Sequence, residues 1–195
     1  MSGPVPWPSV PRMEAYVYVR VVPGAVPQVM NHLSSTNGMR RAVTVVGEWD
    51  VMALVEGADL ASIGQVVLSQ VHGIEGVQRT YTAPVVPPDR IGIGWSMQAT
   101  TPVPINDACF VHVRAEPGAV GGLVERLSES DEISGVAVLG GRYDLMVAIP
   151  QPWEIACGII IEQVHGLPGV VSTDTLVAIR YEEPEEDRDQ FSAWE

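Results

Sequence analysis

The chain has 195 residues, 46% of them hydrophobic, and a formal net charge of −13, enough length and apolar content for two small cores. That acidity is the wrong sign for a phosphate backbone, and the sequence shows no basic stripe, zinc-ligand spacing or aromatic-basic RNA signature. Residues 182–195 hold seven acids and one arginine, which reads either as a solvated disordered tail or as a partner-binding one.

Taken in order, residues 1–13 carry four prolines and predict an extended arm. With no cationic region followed by an apolar run, the arm is not expected to be a signal peptide. From Glu14 the pattern alternates, with Val17, Val19 and Val21 on one face and Tyr16, Tyr18 and Arg20 on the other, which predicts a strand. Pro23-Gly24 breaks it. Ala25 to Ser35 then places Val26, Val29, Met30 and Leu33 at helical spacing, and Asn37-Gly38 ends that helix. Met39 to Val46 and Asp50 to Glu56 predict two strands joined by a tight turn at Gly47-Glu48-Trp49. Asp59 is placed to cap a second helix running to about Val71, with Ile63, Val66, Val67 and Gln70 on one face. His72-Gly73 closes it, where a histidine near the last carbonyls suits the helix dipole. Gly76 to about Val85 is the fourth strand.

The same text then returns. Val17-x-Val19-Arg20-x-x-Pro23-Gly24-Ala25-Val26 reappears as Val111-x-Val113-Arg114-x-x-Pro117-Gly118-Ala119-Val120. Gly47-Glu48-Trp49-Asp50 matches Gly141-Arg142-Tyr143-Asp144, and Gln70-Val71-His72-Gly73-Ile74-x-Gly76-Val77 matches Gln163-Val164-His165-Gly166-Leu167-x-Gly169-Val170. One small domain is therefore written twice: residues 14–86 and 108–181, with a proline-rich linker at 87–107 and the acidic tail at 182–195. The second copy predicts a strand from Ala108, a helix from Pro117 to about Ser130, a hairpin from Ile133 to Ile149, a helix from Pro152 to Val164 and a strand from Gly169 to Tyr181. Trp153 is expected to pin the start of the last helix as a buried anchor. Gly92-Ile93-Gly94 in the linker is not a dinucleotide fingerprint, because no three-glycine pattern opens a helix; the linker reads as a wrapping strap.

Strand, helix, strand, strand, helix, strand is the split βαβ arrangement. It gives an α+β fold with both helices on one face of a four-stranded antiparallel sheet, the other face needing cover. Tyr16, Tyr18 and Arg20 in one copy, and Phe110, His112 and Arg114 in the other, lie on that face. Two ferredoxin-like repeats packed by these faces would form an intramolecular αβ-barrel or sandwich, a pseudo-dimer in one chain. Cys109 and Cys157 have no counterparts in the first copy and read as reduced, buried small hydrophobes. The apolar run around Ile155 to Ile161 is too short to span a bilayer, so a soluble cytoplasmic protein is expected.

Pro-Gly after the first strand, Gly-x-aromatic-Asp in the hairpin and Gly-[Ile/Leu]-x-Gly-Val before the fourth strand together resemble the effector-binding domain of the Lrp/AsnC family, in both repeats. The resemblance implies that two copies pair through their sheets, that pairs assemble into rings, and that a small effector, typically an amino acid, binds near the hairpin motif. It assigns the ligand to Gly47, Trp49, Asp50, Gly141, Tyr143 and Asp144. Physically, a glycine lets backbone N–H groups approach a carboxylate, the Asp pairs with an ammonium, and the ring supplies a wall. Equally, each Asp serves as a turn residue bonding backbone amides. Two departures stand out: Trp49 replaces the family's tyrosine, so two sites that differ in affinity or in ligand are expected, and the short arm is not expected to form the family's helix-turn-helix.

The expectation is a stand-alone ligand-binding module with no catalytic residues, metal or cofactor. It would sense an amino acid or related metabolite and act as a homo-oligomer of pseudo-dimers or through a regulatory protein partner, without direct nucleic acid or membrane binding. His72 and His165, one per copy and unclustered, suit helix ends better than a metal. The alternative is an αβ-barrel enzyme using Tyr18, Arg20, His112 and Arg114 between the sheets; a ligand-free scaffold is a third reading.

Overall fold

The computed structural model describes residues 12–87 and 101–180; the N-terminal arm, most of the linker and the acidic tail lie outside the described residues. The first half runs β1 (Met13–Val21), α1 (Val26–Ser34), β2 (Met39–Val46), β3 (Val51–Gly57), α2 (Leu60–Val66) and β4 (Val77–Pro84). The second runs β5 (Ala108–Ala115), α3 (Val120–Ser128), β6 (Gly135–Val138), β7 (Leu145–Ile149), α4 (Trp153–Ile159) and β8 (Val170–Ile179).

All eight strands join one antiparallel sheet in the order β4-β1-β3-β2-β8-β5-β7-β6. Two matching seams connect the halves. At one, Thr44, Val45 and Val46 face Ile179, Ala178 and Val177. At the other, Val85 bridges Leu139, Val86 N–H donates to the Val138 carbonyl at 2.9 Å and Gly140 N–H to the Pro84 carbonyl at 2.8 Å. The second seam closes the sheet into a barrel and leaves neither end strand with an open edge along its whole length.

Alternation sorts the strand side chains as the sequence predicts. Tyr16, Tyr18, Met52, Leu54, Phe110 and Met146 point inward and pack into one buried cluster drawn from both halves. Val17, Val19 and Val21 point outward onto α1 and α2, and Val111, Val113 and Val147 onto α3 and α4. At about 25 cal/mol per Å2 of apolar area removed from water, each fully buried Leu, Phe or Met contributes about 1.5–3 kcal/mol, so the shared interior binds the halves strongly. Asp59 caps α2, accepting from Ser62 N–H at 2.7 Å.

Both second helices end in a π-helical turn, Val67–Val71 and Ile160–His165, which periodicity did not predict. Their buried stripes, Ile63-Val67-Val71 and Ala156-Ile160-Val164, recur every fourth residue. On an α-helix such a stripe drifts by about 40° per step; a wider turn drifts the opposite way and keeps the stripe on the sheet. Gly76 and Gly169 have φ of 94° and 95°, and a Cβ on either would lie 2.6 Å from the Cβ of Ala25 or Ala119. Only glycine admits both that dihedral and that approach.

Three expectations change. Trp153 is 47% exposed rather than an anchor, because α4 buries Ala156 and Ile159 and turns its first residue outward. His72 and His165 bond across to Thr80 and, at 2.8 Å, Thr173, tying each helix end to the following strand rather than capping carbonyls. Cys109 is buried as expected, but Cys157 is only partly so.

Candidate functional site

Gly47 and Gly141 turn the two hairpins at φ of 147° and 134°, and each packs on the opposite half. A Cβ at Gly47 would sit 2.7 Å from Leu176 Cδ2, and one at Gly141 2.5 Å from the Tyr81 hydroxyl. That closeness brings both hairpins to one place. Glu48 and Arg142, which occupy twin positions in the repeat, touch through Arg142 Nη1 at 2.8 and 3.1 Å from the two Glu48 oxygens. Tyr18 and His112, also twins, touch between the Tyr18 hydroxyl and His112 Nε2 at 2.6 Å. Residues related by a pseudo-twofold can meet each other only on its axis, so the axis passes through both contacts.

Around it lies one cluster rather than two separate sites. Trp49 and Tyr143 are almost fully buried. Tyr143 donates to Asp174 Oδ2 at 2.8 Å and stacks on His112 with centroids 4.6 Å apart. Trp49 and Tyr81 stack at 6.2 Å, Arg79 lies 4.6 Å over the Trp49 ring, and the Tyr81 hydroxyl accepts Arg142 N–H at 2.7 Å. The two aspartates of the motif stand back from this cluster. Asp50 Oδ2 accepts Val21 N–H and Asp144 Oδ2 accepts Ala115 N–H, both at 2.8 Å, at the points where β1 and β5 slip register against β4 and β8. Each pins a bulge. Arg20 reaches Asp50 and the Glu48 carbonyl, whereas Arg114 is exposed.

Burial governs the electrostatics. Desolvation pushes His112 down to about 4 although Asp174 and Glu48 pull it up, so the imidazole is neutral near pH 7. Its Nδ1 has no partner among the described residues. Burial raises Tyr18 well above its ordinary value, and burial followed by the bond to Asp174 raises Tyr143. The hydrogen bond to Glu48 raises Arg142. Two guanidiniums and two carboxylates thus border aromatic walls, a set able to hold opposite charges on one small molecule. Of the sequence-predicted site residues, the rings and glycines converge here and the aspartates support them from behind. Sequence reasoning missed Glu48, Arg79, Tyr81, Arg142 and Asp174. Cross-strand pairing of Tyr18 with Tyr81 and of His112 with Asp174 was the signal that would have found two of them.

Against known families, residues 14–87 match the model described as "Lrp/AsnC ligand binding domain". This part of the chain carries the Lrp/AsnC domain. The whole barrel is similar to the siroheme decarboxylase NirDL in complex with an iron-uroporphyrin III analogue, at 8% identity and a TM-score of 0.64, over 87% of this chain and 72% of that one. E. coli AsnC matches at 16% identity and a TM-score of 0.37, covering 38% of this chain and 51% of that one. The transcriptional regulator NMB0573 of Neisseria meningitidis, solved as an L-Met complex, matches at 18% and 0.38, covering 48% and 57%. The sequence matches no curated protein. The NirDL likeness shows the fold: two ferredoxin-like halves closed into one barrel. No helix among the described residues is long and apolar enough to cross a membrane.

Proposed function

We propose that the chain is a tandem Lrp/AsnC-type ligand-binding module that senses a small metabolite, an amino acid or close relative, and signals through oligomerisation or a partner protein. The observation that carries this reading is the convergence of both hairpins on one asymmetric cluster. Arg142 and Arg79 supply donors for a carboxylate, Glu48 and Asp174 accept an ammonium, and Trp49, Tyr81 and Tyr143 flank the side chain. In a homodimer two identical side chains would face each other across the axis; the fused chain sets Glu48 against Arg142 and so offers both signs in one place. Gly47, Trp49, Gly141 and Tyr143 shape that niche, while Asp50 and Asp144 keep the bulges that aim it.

A thermal-shift screen of the twenty amino acids tests it. Binding to the native state alone raises Tm, by about 2.7 kcal/mol of stabilisation at a hundredfold excess over Kd. A rise that disappears in Arg142→Ala supports the reading, and silence across the set counts against it.

A second reading is favoured by one feature: the row of Tyr18, His112 and Tyr143, all buried, with the half-buried Asp174 is a set of groups suited to proton transfer, with His112 Nδ1 unpartnered among the described residues. An enzyme working inside the barrel would need Tyr16, Tyr18 and Phe110, now packed together, to part around a substrate. Arg20 and Arg114 lie away from that row. Turnover abolished by His112→Phe, with ligand binding unchanged, would favour it.

A further inference from the structure

Three guanidiniums converge on one glutamate. Arg142 Nη1 lies 2.8 and 3.1 Å from the two carboxylate oxygens of Glu48. Arg79 Nη2 approaches the same Oε1 at 3.6 Å, and Arg20 Nη1 donates to the Glu48 carbonyl at 2.8 Å. Arg20 and Arg79 also stand directly opposite each other on β1 and β4, a like-charge pairing that destabilises a sheet unless an anion lies against it. A chain of net charge −13 thus gathers three of its eleven basic residues at the hairpins, so the local charge runs against that of the whole. The neighbouring aspartates are engaged elsewhere: Asp50 accepts Val21 N–H and meets Arg20 at 3.5 Å, and Asp174 accepts the Tyr143 hydroxyl. Among the described residues, Glu48 alone forms ion pairs with Arg79 and Arg142.

Both of these guanidiniums are positioned before any ligand arrives. Arg79 lies 4.6 Å over the ring of Trp49 and Arg142 5.3 Å over that of Tyr143, and the two rings are themselves almost fully buried. Stacking on a fixed ring orients each arginine and leaves its planar fork of donors available. The Arg79 and Arg142 side chains are 60% and 54% exposed, so an ion from solvent can reach both. The repeat does not duplicate the arrangement: the twin of Glu48 is Arg142, and the twin of Arg79 is Ser172. The two hairpins therefore share a single two-arginine clamp, and a carboxylate of the protein itself sits in it.

We infer that Glu48 is a built-in competitor in this clamp and makes the site select zwitterions over simple anions. The inference rests on the reading of the niche as an amino-acid sensor and adds the exchange by which the ligand enters. A ligand carboxylate takes the donors of Arg79 and Arg142 and displaces the Glu48 side chain. A simple anion only substitutes for Glu48, leaving that carboxylate beside a like charge with no partner. A ligand that also carries an ammonium gives the displaced carboxylate a new partner, so one pairing is replaced by two. Exposed ion pairs are weak, so the exchange is readily reversible and the discrimination it supplies is about fivefold.

Glycine and acetate share a carboxylate and differ by the ammonium, so comparing them isolates this exchange from any side-chain contact. Nitrogen–proton NMR of the full chain, following the Trp49 indole and the Arg79 and Arg142 side-chain Nε–H signals, reads both affinities. In the wild type, glycine should bind about fivefold more tightly than acetate. Glu48→Gln keeps the size of the side chain and removes its charge; acetate should then tighten about fivefold and the preference for glycine should disappear. Adding Arg79→Ala to Glu48→Gln should cancel the gain, which ties it to the clamp. Acetate that binds the wild type and Glu48→Gln equally, or binds neither, overturns the inference, as does a preference for glycine that survives Glu48→Gln. The sensor reading fails separately. An amino-acid rise in Tm with no change in acetate affinity refutes the competitor and leaves the sensor. A silent amino-acid screen beside tightened acetate binding in Glu48→Gln refutes the sensor and leaves Glu48 as the occupant of the clamp.

Discussion

His112 makes the barrel acid-sensitive in a defined window. The imidazole is buried and held down to about 4 by desolvation, while the unfolded chain titrates near 6.5. As pH falls below 6.5 the unfolded state takes up a proton that the native state refuses, so stability is lost from there down to about pH 4, below which both states are protonated and the difference is constant. Between pH 7 and pH 5 the linkage amounts to about 2 kcal/mol. Urea unfolding of the wild type and His112→Phe at both pH values isolates the effect, because the surface carboxylates titrate alike in the two proteins. The absolute stability of the variant will also change, since the Tyr18 hydroxyl loses its partner, but only the difference between pH values is read. The wild type should lose about 2 kcal/mol more than the variant on acidification. Equal losses would refute a neutral, desolvated His112.

Asp144→Ala removes the acceptor of Ala115 N–H and should lower stability by about 1–3 kcal/mol, measured by chemical denaturation; Asp50→Ala should match it through Val21. Gly47→Ala combines a positive φ with a Cβ 2.7 Å from Leu176 and 3.2 Å from the Thr175 carbonyl, so a loss of about 1–3 kcal/mol is expected in the same assay. Arg142→Ala breaks a mostly exposed ion pair and should cost less than about 1 kcal/mol while abolishing any ligand-induced rise in Tm. Cys109, buried and pushed up to about 11, should resist thiol reagents in the native protein at pH 8, with Cys157 reacting first.

Much of the fold was legible because strand alternation and duplication reinforce each other. Val17-Val19-Val21 against Tyr16-Tyr18 fixes which face turns inward, and the same split recurs in Val111-Val113 against Phe110-His112. Met39–Val46 appears with the bounds that the sequence suggests. The π-helical turns were not legible, because Ile63, Val67 and Val71 lie within the tolerance of an ordinary amphipathic helix until packing on the sheet decides. Trp153 misled because a large apolar residue at a helix start looks like an anchor when the direction of its side chain is unknown. The candidate site was half legible. Glycine and aromatic positions follow from the motif, but the partners Glu48 and Arg142 occupy its variable place, and their sign reversal acquires meaning only once the two hairpins are known to meet. Both readings of the aspartate were open in the sequence; the bonds to Val21 and Ala115 assign its Oδ2 to the bulge.

The central claim is that the two hairpins share one ligand niche, and backbone nitrogen–proton NMR tests it most directly. Titrating an amino acid that stabilises the chain should shift the Trp49 indole N–H together with the amides of both Gly47–Asp50 and Gly141–Asp144, with a single common affinity. Shifts confined to one hairpin, or confined to residues remote from both, would contradict it.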